Sequence, residues 1–159
     1  MNNRNKIMSF LMLAVWLALT FAAGGIGSQF MPGAWYAGLT KPSWNPPGWV
    51  FPPVWSLLYL LMGIAAWLVW CQGGFNANRK ALGLFLAQLV LNALWTPLFF
   101  GLHRPGWAFL EIIVLWSCIG ATAYHFGLRS RPAGLLLLPY LAWVTFAAFL
   151  NFTLWRLNP

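Results

Sequence analysis

The sequence predicts an all-α fold: a bundle of five membrane-spanning helices forming a single domain over residues 1–159. Three observations predict it. Of the 159 residues, 61% are hydrophobic and only 6% charged, whereas a soluble domain carries about a quarter charged residues. The apolar residues fall into five runs, each close to the roughly 20 residues a helix needs to cross the hydrocarbon core. The few charges sit between these runs, where the loops of a polytopic membrane protein hold them. A membrane barrel would show weak alternation in pieces of about ten residues, and that pattern is absent. Backbone groups in lipid must be satisfied within their own segment, so uninterrupted apolar runs read as helices.

The first run is Ile7–Ile26. Arg4 and Lys6 precede it and Ala22-Ala23-Gly24 resembles a cleavage site. Its apolar stretch exceeds the roughly 7–15 residues of a signal peptide, so an uncleaved helix is expected. The second and third runs are Val50–Trp70 and Ala81–Leu102, separated by Gln72-Gly73-Gly74 with Asn76, Asn78, Arg79 and Lys80. The fourth, Pro105–Leu128, follows a tight turn from Gly101 to Gly106. The fifth, Ala133–Trp155, follows Arg129-Ser130-Arg131-Pro132, whose proline suits a helix start because its missing N–H costs little there. Short connections predict that sequential helices pack antiparallel. The exception is the loop 29–48, rich in Pro, Gly and Trp. Loops of that length in a compact domain are usually functional. No internal repeat is visible.

Charge narrows the function classes. Nine Lys and Arg stand against one acidic residue, a net charge of +8. They are scattered as singles and pairs rather than clustered on a solvated surface, so nucleic acid is not an expected partner. Arg4, Lys6, Arg79, Lys80, Arg129 and Arg131 share one side of the membrane, and Lys41, Arg104 and Arg156 the other. Six against three predicts a cytoplasmic N-terminus, with the long loop outside.

Conventional catalysis finds few groups. Glu111 is the only acidic residue, which excludes paired carboxylates and any Ser–His–Asp set. His103, His125, Cys71 and Cys118 have no metal-ligand spacing, so no metal and no disulfide framework are expected. Glu111 has two readings: a functional ionisable group inside the membrane, or an interfacial residue that pairs with Arg104 or accepts hydrogen bonds. Gln88 and Asn92 share a helix face with Trp95, and Asn151 is similar; such amides serve as interhelical glue or as ligand contacts. Twelve tryptophans are the most conspicuous feature. Trp35, Trp44 and Trp49 crowd the long loop, and Trp55, Trp95, Trp116 and Trp143 lie within spans. They suit an interfacial belt with core packing, or an aromatic pocket for a flat apolar ligand such as a tetrapyrrole or sterol.

The stretch Trp35–Pro52, WYAGLTKPSWNPPGWVFP, continued by Pro53-Val54-Trp55, resembles the signature of the TspO/MBR family of tryptophan-rich sensory proteins. Further matches follow in order: Gln88–Asn92 with Trp95, Pro97–Gly101, Pro139–Trp143, Leu150-Asn151 and Trp155-Arg156. The resemblance covers nearly the whole chain. It implies a five-helix bundle, often a homodimer, in a bacterial cell membrane, with a ligand cavity beneath the first long loop. It further implies a receptor or sensor for porphyrins, haem and protoporphyrin among them, and for benzodiazepine-site ligands, with no covalent cofactor. Alternatives of other classes are a light-dependent porphyrin-degrading enzyme, with Trp55 and Trp143 as its redox-active residues, and a transporter of the same ligands. By motif position Tyr36, Trp55 and Trp143 match cavity-lining aromatics. Asn92, Trp95, Trp107, Ala147 and Leu150 match positions near the cavity, and Trp44 of the loop joins the candidates. Trp55, Trp95 and Trp143 would offer stacking faces, with Lys41 or Arg104 pairing with a propionate at the mouth. Cholesterol, a ligand of mitochondrial members, is doubtful here, because Phe152 stands where the sterol-recognition pattern needs Tyr. Ala81, Gly83, Ala87 and Ala93 give the third helix the small residues that let backbones approach in lipid, consistent with a homodimer through that helix.

Overall fold

The computed structural model describes the backbone of residues 3–159 and the side chains from Lys6 onward. Arg4, counted in the charge asymmetry, lies outside the described side chains. Five segments are long and apolar enough to span a membrane: Lys6–Gly27, Gly48–Trp70, Arg79–Gly101, Pro105–Arg129 and Arg131–Leu157. Their helices are α1 (Asn3–Gly27), α3 (Phe51–Trp70), α5 (Arg79–Thr96), α6 (Pro105–Arg129), and the pair α7 (Arg131–Leu136) and α8 (Leu138–Leu157). Two short helices lie in loops, α2 (Ala34–Gly38) and α4 (Gly74–Ala77).

Around the bundle α1 packs on α3, α3 on α7, α7 and α8 on α6, α6 on α5, and α5 back on α1. Sequential spans are therefore neighbours except the second and third, since α3 and α5 touch only lightly. The connection between them is tight nonetheless. Gly73 and Gly74 take φ of +117° and +74°, a region that glycine enters without steric cost. Buried Asn78 then donates its amide to the carbonyls of Val69 at 3.1 Å and Gly74 at 2.9 Å, pinning the end of α3 to the start of α5.

Two prolines break what hydropathy reads as continuous. Pro139 lacks the N–H that would bond the Leu135 carbonyl, and the fifth span is split at Leu137 into α7 and α8. Pro97 opens a wide π turn over Pro97–Gly101, closed by the Leu102 N–H on the Pro97 carbonyl at 2.8 Å. Such turns recur at functional sites. This one buries Phe99 and leaves Phe100 half-buried.

Glycines set the closest helix approaches, as expected where no hydrophobic drive separates protein from lipid. A Cβ on Gly63 would stand 3.1 Å from the Leu17 Cα, and one on Gly24 would run into the Tyr59 ring. The core is apolar and so is much of the outside: Phe10 is 73% exposed and Phe149 67%, the surface a hydrocarbon solvent permits. The third-span small residues divide. Gly83 and Ala87 share the outward stripe with exposed Val90 and Leu94, whereas Ala81 is buried and Ala93 packs against the core. The register explains this: positions 83, 87, 90 and 94 follow helical spacing, and 81 and 93 fall on the other side.

Candidate functional site

At the end of the bundle covered by the long loop, groups of aromatic side chains line a seam and pack about the buried cluster of Phe99, Ala108, Leu150 and Leu154. The seam's first wall comes from the loop. Helix α2 holds Tyr36 edge-on to Phe99 and Phe100, with centroids at 6.2 and 5.3 Å. The Tyr36 hydroxyl donates to Asn45 Oδ1 at 3.2 Å, and burial pushes its phenol above the ordinary range, so it stands as a neutral donor. Lys41 Nζ lies 4.8 Å from the Tyr36 ring centre, within cation–π range, and donates to the carbonyls of Ala37 and Leu39.

The second wall is α5 with its π turn. Trp95 stacks on Phe99 at 5.0 Å and donates its indole N–H to Asn151 Oδ1 at 3.1 Å. Asn151 in turn donates to the Pro105 carbonyl at 2.8 Å. The third wall is α8. Trp143 meets Phe51 at 5.8 Å and Phe146 at 5.5 Å, and Phe146 meets Trp44 of the loop at 5.9 Å. Ala147 and Leu150 continue the Trp143 face by helical spacing; Leu150 is buried with Phe99, Ala108 and Leu154. The Trp143 indole N–H is buried and has no protein partner, which is costly unless something else accepts it.

A polar chain lies deeper. Trp55 stacks on Tyr59 at 5.4 Å and edges Tyr140 at 6.2 Å. Tyr59 donates to Asn92 Oδ1 at 2.9 Å, and Asn92 Nδ2 donates to the Tyr140 hydroxyl at 3.1 Å. Asn92 thus acts as glue among three spans, one of its two expected roles.

The loop is fastened over the seam. The Thr40 N–H donates to Asn158 Oδ1 at 2.9 Å, and Asn158 Nδ2 donates back to the Thr40 carbonyl at 3.0 Å. This two-way amide clamp ties the loop to the end of α8.

The structure therefore gathers Tyr36, Trp95, Trp143, Ala147 and Leu150 along one seam, with Trp44 at its rim and Trp55 and Asn92 beneath. The described ring pairs fall into three groups, Tyr36 and Trp95 about Phe99 and Phe100, Trp143 with Phe51 and Phe146, and Trp55 with Tyr59 and Tyr140, and no pair joins one group to another. Phe51 and Phe146 meet the first group through the packing about Phe99 and Leu150. Trp107 is not brought in: it is 66% exposed and lines a separate cleft with Trp35, Arg104 and Trp155. Trp116 also stays outside, donating to Thr145 Oγ1 at 2.8 Å. Phe152 is exposed and packs against Phe109. Glu111 neither pairs with Arg104 nor accepts a hydrogen bond. Glu111 lies two turns before Cys118, whose thiol faces the Leu84 carbonyl at 3.6 Å, so its register turns it toward α5. Both its carboxylate oxygens are buried with no hydrogen-bond partner. Gln88, one turn before Asn92, is likewise buried without a side-chain partner. Among the described residues no three His, Cys, Asp or Glu side chains converge.

The rings that partner Tyr36, Trp55 and Trp143 were within reach of the sequence. Phe99 and Phe100 belong to the PLFFG motif, Phe51 falls one turn before Trp55, and Tyr140 falls three residues before Trp143. Asn158 carries no such signal, because its partner Thr40 lies 118 residues away.

The fold and seam define a class: a helical membrane protein whose interior is walled by aromatic rings beneath a fastened loop. The family model for the TspO/MBR family matches residues 10–156, and the chain belongs to that family. It is similar to Protein CrtK of Rhodobacter capsulatus, 45% identical over 96% of both chains. The tryptophan-rich protein TspO of Chlorobaculum tepidum is 46% identical over 94% of this chain and 97% of its own. The translocator protein of Homo sapiens is 45% identical over 84% of this chain and 82% of its own.

Proposed function

We propose that this protein is a membrane receptor that binds porphyrins, haem or protoporphyrin, between the ring faces of Tyr36, Trp95 and Trp143. The observation that carries the reading is the buried Trp143 indole N–H with no protein partner, set in a wall of otherwise apolar rings. A flat macrocycle matches such walls by stacking, and an acceptor atom on it satisfies the orphan donor. Lys41 beside Tyr36 is the cation nearest the seam for a propionate; Arg104 faces the other cleft. Relatives named as sensory and translocator proteins support a receptor role. The seam is packed ring against ring, so entry requires the rings to part, and the Thr40–Asn158 clamp is where the cover would release. The charge asymmetry of the loops supports a cytoplasmic N-terminus, and the bacterial relatives support a bacterial cell membrane. The outward stripe of α5 supports a homodimer.

A second reading is favoured by one observation. Trp55 lies stacked on Tyr59, and an oxidisable indole next to a phenol suits light-driven oxidation of the bound pigment. Titration of the purified protein with protoporphyrin, in dark and in light, tests both. Trp143→Ala should weaken binding by about tenfold, the worth of one stacking face, while Trp155→Ala changes it little. Trp55→Phe should keep binding and lower any pigment loss under illumination. Equal affinities for the Trp143 and Trp155 variants would defeat the receptor site. Unchanged pigment loss in Trp55→Phe would defeat the photochemical one.

A further inference from the structure

The cleft that holds Trp107 lies beside the aromatic seam, on the other side of Trp35. It has a volume of about 700 Å³ and is lined by Trp35, His103, Arg104, Trp107, Leu110 and Trp155, with the end of α8. Three features select its occupant. The first is charge. The chain has one acidic side chain, Glu111, and it is buried and unpaired, so no side chain neutralises Arg104. The second is the start of α6. Its first turn begins in this cleft with no side-chain cap and no acidic residue. Pro105 has no N–H and the Ala108 N–H is taken by the Arg104 carbonyl. This leaves the N–H groups of Gly106, beside the Trp155 indole, and of Trp107 without backbone partners at the positive end of the helix dipole. The third is the wall. Trp107 is 66% exposed and Leu110 57%, an apolar strip that runs up α6 from the charged end.

His103 adds a built feature. Its φ of +53° is the only positive value on a non-glycine among the described residues. Strain of this kind persists where the surroundings hold it. Here the imidazole is stacked on Trp35 at 4.3 Å with the planes 16° apart, forming the inner wall. Trp35 in turn edges Phe99 at 5.7 Å, so one indole separates the cleft from the seam.

A cation and free N–H groups at the membrane-facing end of a span, above an exposed apolar strip, fit one chemistry. We propose that the cleft binds an anionic phospholipid of the adjacent leaflet, its phosphate at Arg104 and the first turn of α6, its acyl chain along Trp107 and Leu110. This does not depend on the porphyrin reading: the cleft shares Trp35 and Leu154 with the seam's wall and Asn158 with the loop clamp, but none of Tyr36, Trp95 and Trp143 lines it.

The test uses the full chain in phosphatidylcholine vesicles containing brominated phosphatidylglycerol or brominated phosphatidylcholine. Trp107 fluorescence, taken as wild type minus Trp107→Phe, should be quenched more by the brominated phosphatidylglycerol. Arg104→Gln should reduce that preference about fivefold, the worth of one basic residue at an anionic surface. Arg104 is exposed, and far-ultraviolet dichroism checks that the variant keeps its helices. Arg129→Gln, at the opposite end of α6, should retain the preference. Equal quenching by the two lipids in wild type, or a preference that survives Arg104→Gln, overturns the proposal.

Discussion

A single amide, Asn92, joins Tyr59 of α3 to Tyr140 of α8 from its place on α5. Hydrogen bonds between membrane helices average about 0.6 kcal/mol each, with a ceiling near 1.7. Asn92→Leu should therefore cost about 1–2 kcal/mol, because two phenols lose their partner at once. Thermal unfolding in detergent, followed by dichroism, should show a lowered midpoint; an unchanged midpoint would mean the phenols find other partners. The sequence left Asn92 open between glue and ligand contact, since a one-dimensional pattern does not say which faces meet. Its spacing from Trp95 was legible. The phenols that use both ends of its amide were not, because they lie 33 and 48 residues away. The same blindness explains Glu111: its distance from Pro105 along the helix was readable, but its turn toward α5 depends on the packing of α6.

The spans themselves were legible at the element scale, because lipid demands long apolar helices and permits little else. Their interruptions were less so. Pro97 and Pro139 were visible, but whether a proline kinks, widens or splits a helix depends on which neighbours take up the freed carbonyl. At the split span the Leu137 N–H turns to the carbonyls of Gly134 and Leu135, and the short α7 packs on α6, where Gly134 permits the contact. A Cβ there would stand 2.8 Å from the Gly127 Cα and 2.9 Å from the Ala123 carbonyl oxygen. These are backbone atoms, which cannot swing aside. Gly134→Ala should destabilise the bundle by about 1–3 kcal/mol, the usual cost of overpacking. Gly120→Ala, in α6 with open space around its Cβ, should be neutral or stabilising through its better helix propensity. Matched unfolding midpoints for the two variants would show that α6 and α7 separate easily.

For the whole molecule, an isolated chain leaves the outward stripe of α5 with only lipid against it. Val90 is 60% exposed and Leu94 48%, and a Cβ on Gly83 would meet nothing within 4 Å. Exposed apolar residues alone say little in a membrane, where every outer face is apolar. The distinguishing feature is the small pair Gly83 and Ala87 one turn apart, which lets another backbone come close enough for packing to favour association over lipid. Two copies related by a twofold axis along this stripe would bring each Ala87 near its counterpart. In a background with Cys71 and Cys118, both free, changed to Ser, Ala87→Cys should form a disulfide between copies under mild oxidation in lipid. Phe10→Cys, on α1 and 73% exposed, is equally accessible but off the stripe and should stay monomeric. Because random collisions would oxidise both positions alike, a dimer band confined to the position 87 variant reports a specific interface. Equal bands at both positions, or none at 87, would place the contact elsewhere on the bundle or leave the protein a monomer.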